Sequence, residues 1–382
     1  GRQTSARLPS GAKQTSRVAG TIQNLTKGRC NLAINLASKF SKYVDDAFAH
    51  ESLLRGATSD KVEFTGVNEV SVYSVDKMEM NDYVKSGTSR YGVIKEIGDR
   101  VQTFRIERDR SFTGSIDEGN AQDQYNVKDA SARLHVQIRD VVIPETEAYV
   151  MMKWAYGAGK VVGGEAPTAE TLLSLIQAGA SHMNNCHVPR AGRGMFIAET
   201  YAAMLPNLAN LTYLERLGSQ ALTENTLPRV AGFDVHVVPD ADMPAGVYFI
   251  LQHKDACPFA QKLTKYKIQK DPMGIDGNVI EGRVRYWAGV LAEKCDGVYV
   301  YAASDSVQAA PALGGSGASV SVTAAGATIY ATTDGTDPRY SSTRSLVSSG
   351  ASVTLEEGQT LRAYAFTDAK YPSPVVEKAY SA

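Results

Sequence analysis

After Tyr301 the three- and four-residue spacing of apolar side chains stops and does not return. Upstream, helical and strand patterns alternate. Downstream, an Ala/Ser/Gly-rich stretch from Ala302 to Ser319, with Pro311, leads into short β-prone runs and no helical stripe. The change of pattern across a linker predicts at least two folding units in the 382 residues. The runs Ser319–Thr323, Thr328–Thr333, Ala351–Leu355, Thr360–Phe366 and Val375–Ala379 predict a small antiparallel sandwich.

The upstream unit opens with an imbalance of charge. Net charge is −1, yet Gly1–Val44 holds Arg2, Arg7, Lys13, Arg17, Lys27, Arg29, Lys39 and Lys42 and no acid. This Ser/Thr/Gly-rich start reads as an arm. Contact with packed nucleic acid through phosphate, or with acidic neighbouring subunits, would each suit it. Leu32, Leu36, Phe40, Tyr43 and Ala47 then predict a helix over 32–54, stopped at Gly56. Val70–Val75 and Val101–Ile106 read as long strands flanking a polar excursion with Gly87, Gly92 and Gly98. A segment so poor in large apolar residues lies on a neighbour, is mobile, or is a surface hairpin.

Val127, Ala130, Leu134, Ile138 and Val141 form an apolar stripe about four turns long. Pro144 should break that helix. Glu145 and Glu147 should open a second one to about Ala155. Gly157–Gly164 should then be a flexible connection, and Pro167-Thr168 should start a further helix through Leu172, Leu173, Leu175, Ile176 and Ala180. Met195–Ala198, Phe233–Val238, Val247–Leu251, Arg283–Leu291 and Val298–Tyr301 read as strands, which makes this region α+β.

Several patterns point weakly to chemistry. Lys160 is followed by Val161, whereas a phosphate loop needs Ser or Thr after its Lys. His182, Cys186 and His187 are close together, but zinc needs about four converging ligands and no second cluster is spaced to supply them. His236 and His253 fall on predicted strands and read as packed or surface residues. Asp117-Glu118 and Glu356-Glu357 lie beside glycine, and Asp334 and Asp337 flank a Gly-Thr turn. No GxSxG elbow is present. No catalytic, cofactor or metal residue is therefore assigned, and the reading is of a protein that is not an enzyme. The four cysteines, Cys30, Cys186, Cys257 and Cys295, are widely spaced and read as buried free thiols. No run of about 18 apolar residues is present to span a membrane, and no apolar signal core follows the basic start.

The order of these elements resembles tailed-bacteriophage major capsid proteins of the Hong Kong 97-type fold. The residues that carry the likeness are Phe104–Phe112, Asp117-Glu118, Val141–Tyr149, Arg190–Phe196 and Gly277–Tyr286. The likeness covers residues 30–302. It implies a basic N-terminal arm over 1–30 and a capsid domain over 31–302. Within that domain it implies an extended loop at 61–116 lying on a neighbouring subunit and a spine helix at 123–142. A peripheral domain would take 145–189 and 277–302, and an axial domain 190–276. Some family members cross-link a loop lysine to an asparagine of a neighbour. Lys77, Lys85 and Lys95 stand in that segment, no acceptor matches, and no cross-link is expected.

After a linker at 303–317, residues 318–382 resemble the immunoglobulin-like C-terminal domain of chitobiase-type enzymes, through Ile329–Pro338, Thr360–Phe366, Ser373 and Tyr380. Together the resemblances imply hexamers and pentamers closing an icosahedral virion shell around double-stranded DNA. Assembly would occur in the bacterial cytoplasm with scaffold and portal proteins, with the tail domain outward and open to glycan or host surfaces. A carbohydrate- or surface-binding protein and an encapsulin-type compartment shell are the alternatives.

Overall fold

The computed structural model describes residues 52–380 apart from 60–62, 66–68, 76–79, 81, 84, 86–89, 92–98, 118–129, 206–228, 271, 272, 275, 276, 316 and 317. The basic arm, Cys30 and nearly all of the helix expected over 32–54 lie outside them. Of that helix Ser52–Leu54 are described, and Leu53-Leu54 belong to a turn that runs to Ala57, with Gly56 in a left-handed conformation.

Strands β1 (Glu63–Thr65), β2 (Glu69–Val75) and β3 (Asp99–Arg105) form an antiparallel sheet in the order β1-β2-β3. Val75 pairs with Asp99 and Glu69 with Arg105, so the excursion is a long hairpin whose strands run back along each other. The returning chain does not stay with it. At Ile106-Glu107 it leaves the ladder, and β4 (Arg108–Asp117) pairs antiparallel with β11 (Gly277–Ala288), which also pairs with β10 (Phe259–Lys270). The expected loop boundary at 116 thus falls inside a strand of a different sheet. β10 carries Lys262, Lys265, Lys267 and Lys270, and a register shift between Leu263 and Lys265 breaks its alternation. A bulge of that kind hides a strand from a period-two search.

The expected break at Pro144 is instead a change of helical gauge. α1 (Ala130–Gln137) passes into a π turn (Ile138–Val142) and then α2 (Ile143–Gly157). Proline lacks an N–H and its ring would press on the carbonyl four residues back. The wider π turn closes with the Ile143 N–H donating to the Ile138 carbonyl and accommodates it.

A six-stranded sheet runs in the order β5-β12-β9-β6-β8-β7. It is built from β5 (Lys160–Gly164), β6 (Arg193–Ala198), β7 (Arg229–Val230), β8 (Phe233–Val238), β9 (Val247–His253) and β12 (Val298–Ala303). Strands from both of the segment groups expected as peripheral and axial share this sheet. α3 (Leu172–Asn185) covers one face, where Leu172, Ile176 and Met183 meet Met195, Ile197, Phe249, Leu251 and Tyr299. α2 covers the other, where Val150 and Trp154 meet Phe196, Ile250, Val298 and Val300. With both faces covered, β6 and β12 must be apolar at nearly every position, as their sequences are. Gly157–Gly164, expected as a flexible connection, supplies edge strand β5, parallel to β12. The short helix α4 (Glu199–Ala202) follows β6.

The C-terminal unit is a two-sheet sandwich of seven strands: β13 (Ala312–Gly314), β14 (Ser319–Thr323), β15 (Thr328–Thr332), β16 (Ser345–Val347), β17 (Ala351–Thr354), β18 (Thr360–Phe366) and β19 (Val376–Ala379). The sheets run β13-β14-β17 and β16-β15-β18-β19 around Val320, Val322, Ile329, Leu361 and Ala363. β13 and β16 are too short to show a pattern in sequence, and β13 shortens the expected linker at 303–317. No helix of the described residues is long and apolar enough to cross a membrane.

Candidate functional site

No catalytic constellation was expected, so the candidate functional features are surfaces and the contacts that position them. At the tip of the hairpin Met80 (98% exposed), Tyr83 (52%) and Tyr91 (86%) stand in solvent, with the two tyrosine rings edge to face at 5.1 Å. Lys85 is exposed beside them, while Lys77 and Lys95 lie outside the described residues. At the base, Phe104 stacks on Trp287 at 4.4 Å, with Ile106 and Ala260 alongside.

Polar contacts then hold β4 to the helix. Lys153 pairs with Glu107 at 2.6 Å and Arg110 with Glu145 at 2.7 Å. The Tyr149 and Tyr286 hydroxyls donate to Glu107 and Glu145, each at 3.2 Å. Burial, with Glu145 beside it, pushes the Tyr286 phenol up to about 12. Asp109 takes Arg283 as a bidentate partner and Arg285 at 3.3 Å; hydrogen bonding from Arg283 holds its carboxyl below the usual range. Also near the start of α2, buried Glu147 accepts from the Ser52 hydroxyl at 2.9 Å and the Leu53 N–H at 2.6 Å. Burial raises its pKa, against the pull of those two bonds.

The tail domain is seated against this core. Asp337 and Arg339 pair at 2.5 Å, and Arg339 donates to the carbonyls of Ala158 and Gly159, both at 2.6 Å. The Tyr340 hydroxyl donates to the Gly157 carbonyl. Tyr371 donates to the Ala245 carbonyl at 2.8 Å, packs on Tyr156, and joins the main core cluster together with Val307 of the connecting segment. That segment is tied to the sandwich: the Gln308 N–H donates to the Tyr371 carbonyl and the Tyr371 N–H to the Ser306 carbonyl. Gly159 could not carry a side chain, because a Cβ would overlap the Cys295 carbonyl that its N–H contacts at 2.9 Å. A groove of about 600 Å³ beside the seat is lined by Phe104, Val290, Arg339, Tyr340 and Arg344, among others.

The weak sequence motifs resolve as follows. Asp117 ends β4 opposite Gly277, and Glu118 lies outside the described residues. Glu356 and Glu357 are exposed in a turn, with Gln359 accepting from the Glu356 N–H. Asp334 closes its turn by accepting from Thr336 and Thr343. Asp337 has the larger role just described, which turn chemistry alone did not reveal. His253 is buried, its Nε2 donating to Ala191 and its Nδ1 accepting from Asp255. His236 stacks on Phe196 at 4.8 Å. Cys257 and Cys295 are buried free thiols, whereas Cys186 is exposed, contrary to expectation. His182 and Cys186 do come together, but their companion is Asp296 rather than His187. Burial lowers the His182 pKa, aided by Lys160, and burial raises the Cys186 thiol, aided by Asp296.

Residues 312–377 match the family model of the chitobiase/beta-hexosaminidase C-terminal domain. The chain shares its fold with the capsid structure of the cyanophage P-SCSP1u, at 14% identity and TM-score 0.52, covering 66% of this chain and 88% of that one. Other similar solved structures come from Mycobacterium phage Che8 (18% identity, TM-score 0.49, covering 62% and 85%) and the mature capsid of bacteriophage PhiM1 (10%, 0.48, 66% and 87%). No curated protein matches the chain. The fold is thus that of a phage capsid subunit carrying an immunoglobulin-like C-terminal domain.

Proposed function

We propose that this chain is a structural major capsid protein, not an enzyme, of the Hong Kong 97-type fold. It would assemble into hexamers and pentamers of an icosahedral phage head around double-stranded DNA. The observation that carries this reading is the fold shared with the cyanophage capsid, together with a hairpin that presents Met80, Tyr83 and Tyr91 to solvent. Large apolar groups on a projecting ribbon gain by burial on another subunit.

In this reading the loop that lies on a neighbour is the stretch up to Ile106, and β4 stays with its own subunit. Residues 123–142 are the spine. Residues 145–189 and 277–302 contribute the peripheral domain and 190–276 the axial domain, with the six-stranded sheet joining the two. The arm over 1–30 contacts DNA or neighbouring subunits, and scaffold and portal proteins are partners. The tail domain faces outward, where a glycan or host surface could reach it.

Electron microscopy of the purified chain is the test, with light scattering on the same sample. Closed shells or discrete hexamers and pentamers are expected. Deleting 77–98 should abolish them while leaving the core's melting transition in place. A shell of normal size from the deleted chain would refute the role given to the hairpin.

A further inference from the structure

His182 and Cys186 stand one helical turn apart at the C-terminal end of α3, and Asp296 reaches them from the 3-10 turn Ala292–Gly297, which leads into β12. One ligand atom from each lies within 4.8 Å of the other two, and the Cys186 sulfur is 3.9–4.0 Å from the His182 ring nitrogens. A tetrahedral ion with bonds of 2.0–2.3 Å needs ligand atoms roughly 3.5 Å apart. Side-chain rotation of less than about an ångström each closes the set.

Both supports are firm. Cys186 caps α3 with its N–H on the His182 carbonyl, and the chain turns away through His187 at φ 58. The turn is held by the Gly159 N–H on the Cys295 carbonyl, with Cys295 buried.

We propose that His182, Cys186 and Asp296 bind one divalent transition ion of the zinc type. Imidazole, thiolate and carboxylate together suit such an ion better than magnesium or calcium, which take oxygen ligands. A thiolate and a carboxylate balance its two charges. The last turn of α3 also directs its carbonyl ends, the negative pole of the helix, toward the same place. Lys160 and Arg339 act on His182 as positive charges, and Arg339 is already paired with Asp337. Three protein ligands leave the fourth position to water. The ion would clamp the end of α3 to a turn more than a hundred residues later. That turn supports Gly159, and Gly159 in turn accepts from Arg339 of the tail domain. The site therefore stiffens the seat of that domain, whether or not the chain forms shells.

The test is cobalt(II) titration of the metal-free full-length protein. One equivalent should bring visible bands of a tetrahedral site and a near-ultraviolet thiolate-to-cobalt band, both displaced by zinc(II). Cys186→Ser should remove the thiolate band. His182→Ala and Asp296→Asn should each weaken binding by at least about tenfold. Cys186 and Asp296 are exposed, so Cys186→Ser and Asp296→Asn should melt like the metal-free wild type. At the same concentration zinc should raise the melting temperature of the wild type more than that of any of the three variants. A wild-type chain without these bands, or a thiolate band unchanged in Cys186→Ser, would overturn the proposal.

Discussion

Buried polar side chains do the positioning in this molecule, and each exposes a different cost. Arg339 has 8% of its side chain exposed and holds a carboxylate and two carbonyls at once. Removing it strands all three. Arg339→Ala should destabilise the seat of the tail domain by about 3–5 kcal/mol, visible as an earlier unfolding step in calorimetry and faster proteolysis near 303–311. Glu147 behaves differently, because burial rather than a cation dominates its environment. Its folded pKa lies above the ordinary glutamate value, so the folded state favours the proton. The cost of ionising it is absent below the ordinary pKa and grows as pH rises toward the raised folded one. Glu147→Gln keeps an acceptor for Ser52 and Leu53 without the charge. Its stability relative to wild type should therefore improve as pH rises through that window, as measured by paired melting curves. Glu147→Ala should cost about 1–3 kcal/mol below that window, since Ser52 and Leu53 lose their acceptor, and less as pH rises through it.

At the level of elements, the hairpin β2–β3 meets the core at its base through Phe104. Trp287 lies under Phe104 and is 4% exposed. Trp287→Ala should cost about 3–5 kcal/mol and free the ribbon to swing, seen as raised hydrogen exchange in 99–106 while the six-stranded sheet keeps its protection. The edge strand β5 depends on close backbone approach. Gly159→Ala should shift β5 away from the Cys295 turn and lower the melting temperature, whereas Gly326, with open space around its Cβ position, should tolerate alanine apart from its positive φ. The π turn is the helix's response to Pro144 rather than a hinge in its own right, for α2 continues with Val150, Met151 and Trp154 wholly buried.

Across the whole molecule, the tail sandwich has its own core, while Tyr371 from the tail and Val307 of the connecting segment pack into the main one. Truncation after Ala303 would expose the carbonyls of Gly157–Gly159 and Ala245 together with Val290 and Tyr156. The shortened chain should melt at a lower temperature than the full chain. If the tail is an outward decoration, however, it should still close shells of the same diameter, which electron microscopy would measure. Shells of altered size would place the tail domain among the determinants of curvature.

Patterning in the chain determined its division into an α+β unit and an all-β unit, the apolar spine, most strands of the six-stranded sheet and the sandwich core. Each of these follows from local periodicity, since one face of a helix or strand must be apolar to be buried. Periodicity could not reveal β10, where a bulge resets the alternation, nor β13 and β16, which are only three residues long. Pairing partners were also out of reach: nothing in Arg108–Asp117 announces that it will join a strand that begins at Gly277. The same holds for the sites. His182 and Cys186 share a helix face by spacing alone, but Asp296 arrives only because β12 lies beside β5 and β9 in the sheet. Asp337 reads as a turn residue in the sequence, and only the fold brings the end of α2 beneath it and its partner Arg339. Contacts between residues far apart in sequence depend on the packing of whole elements, and that is decided by the tertiary structure.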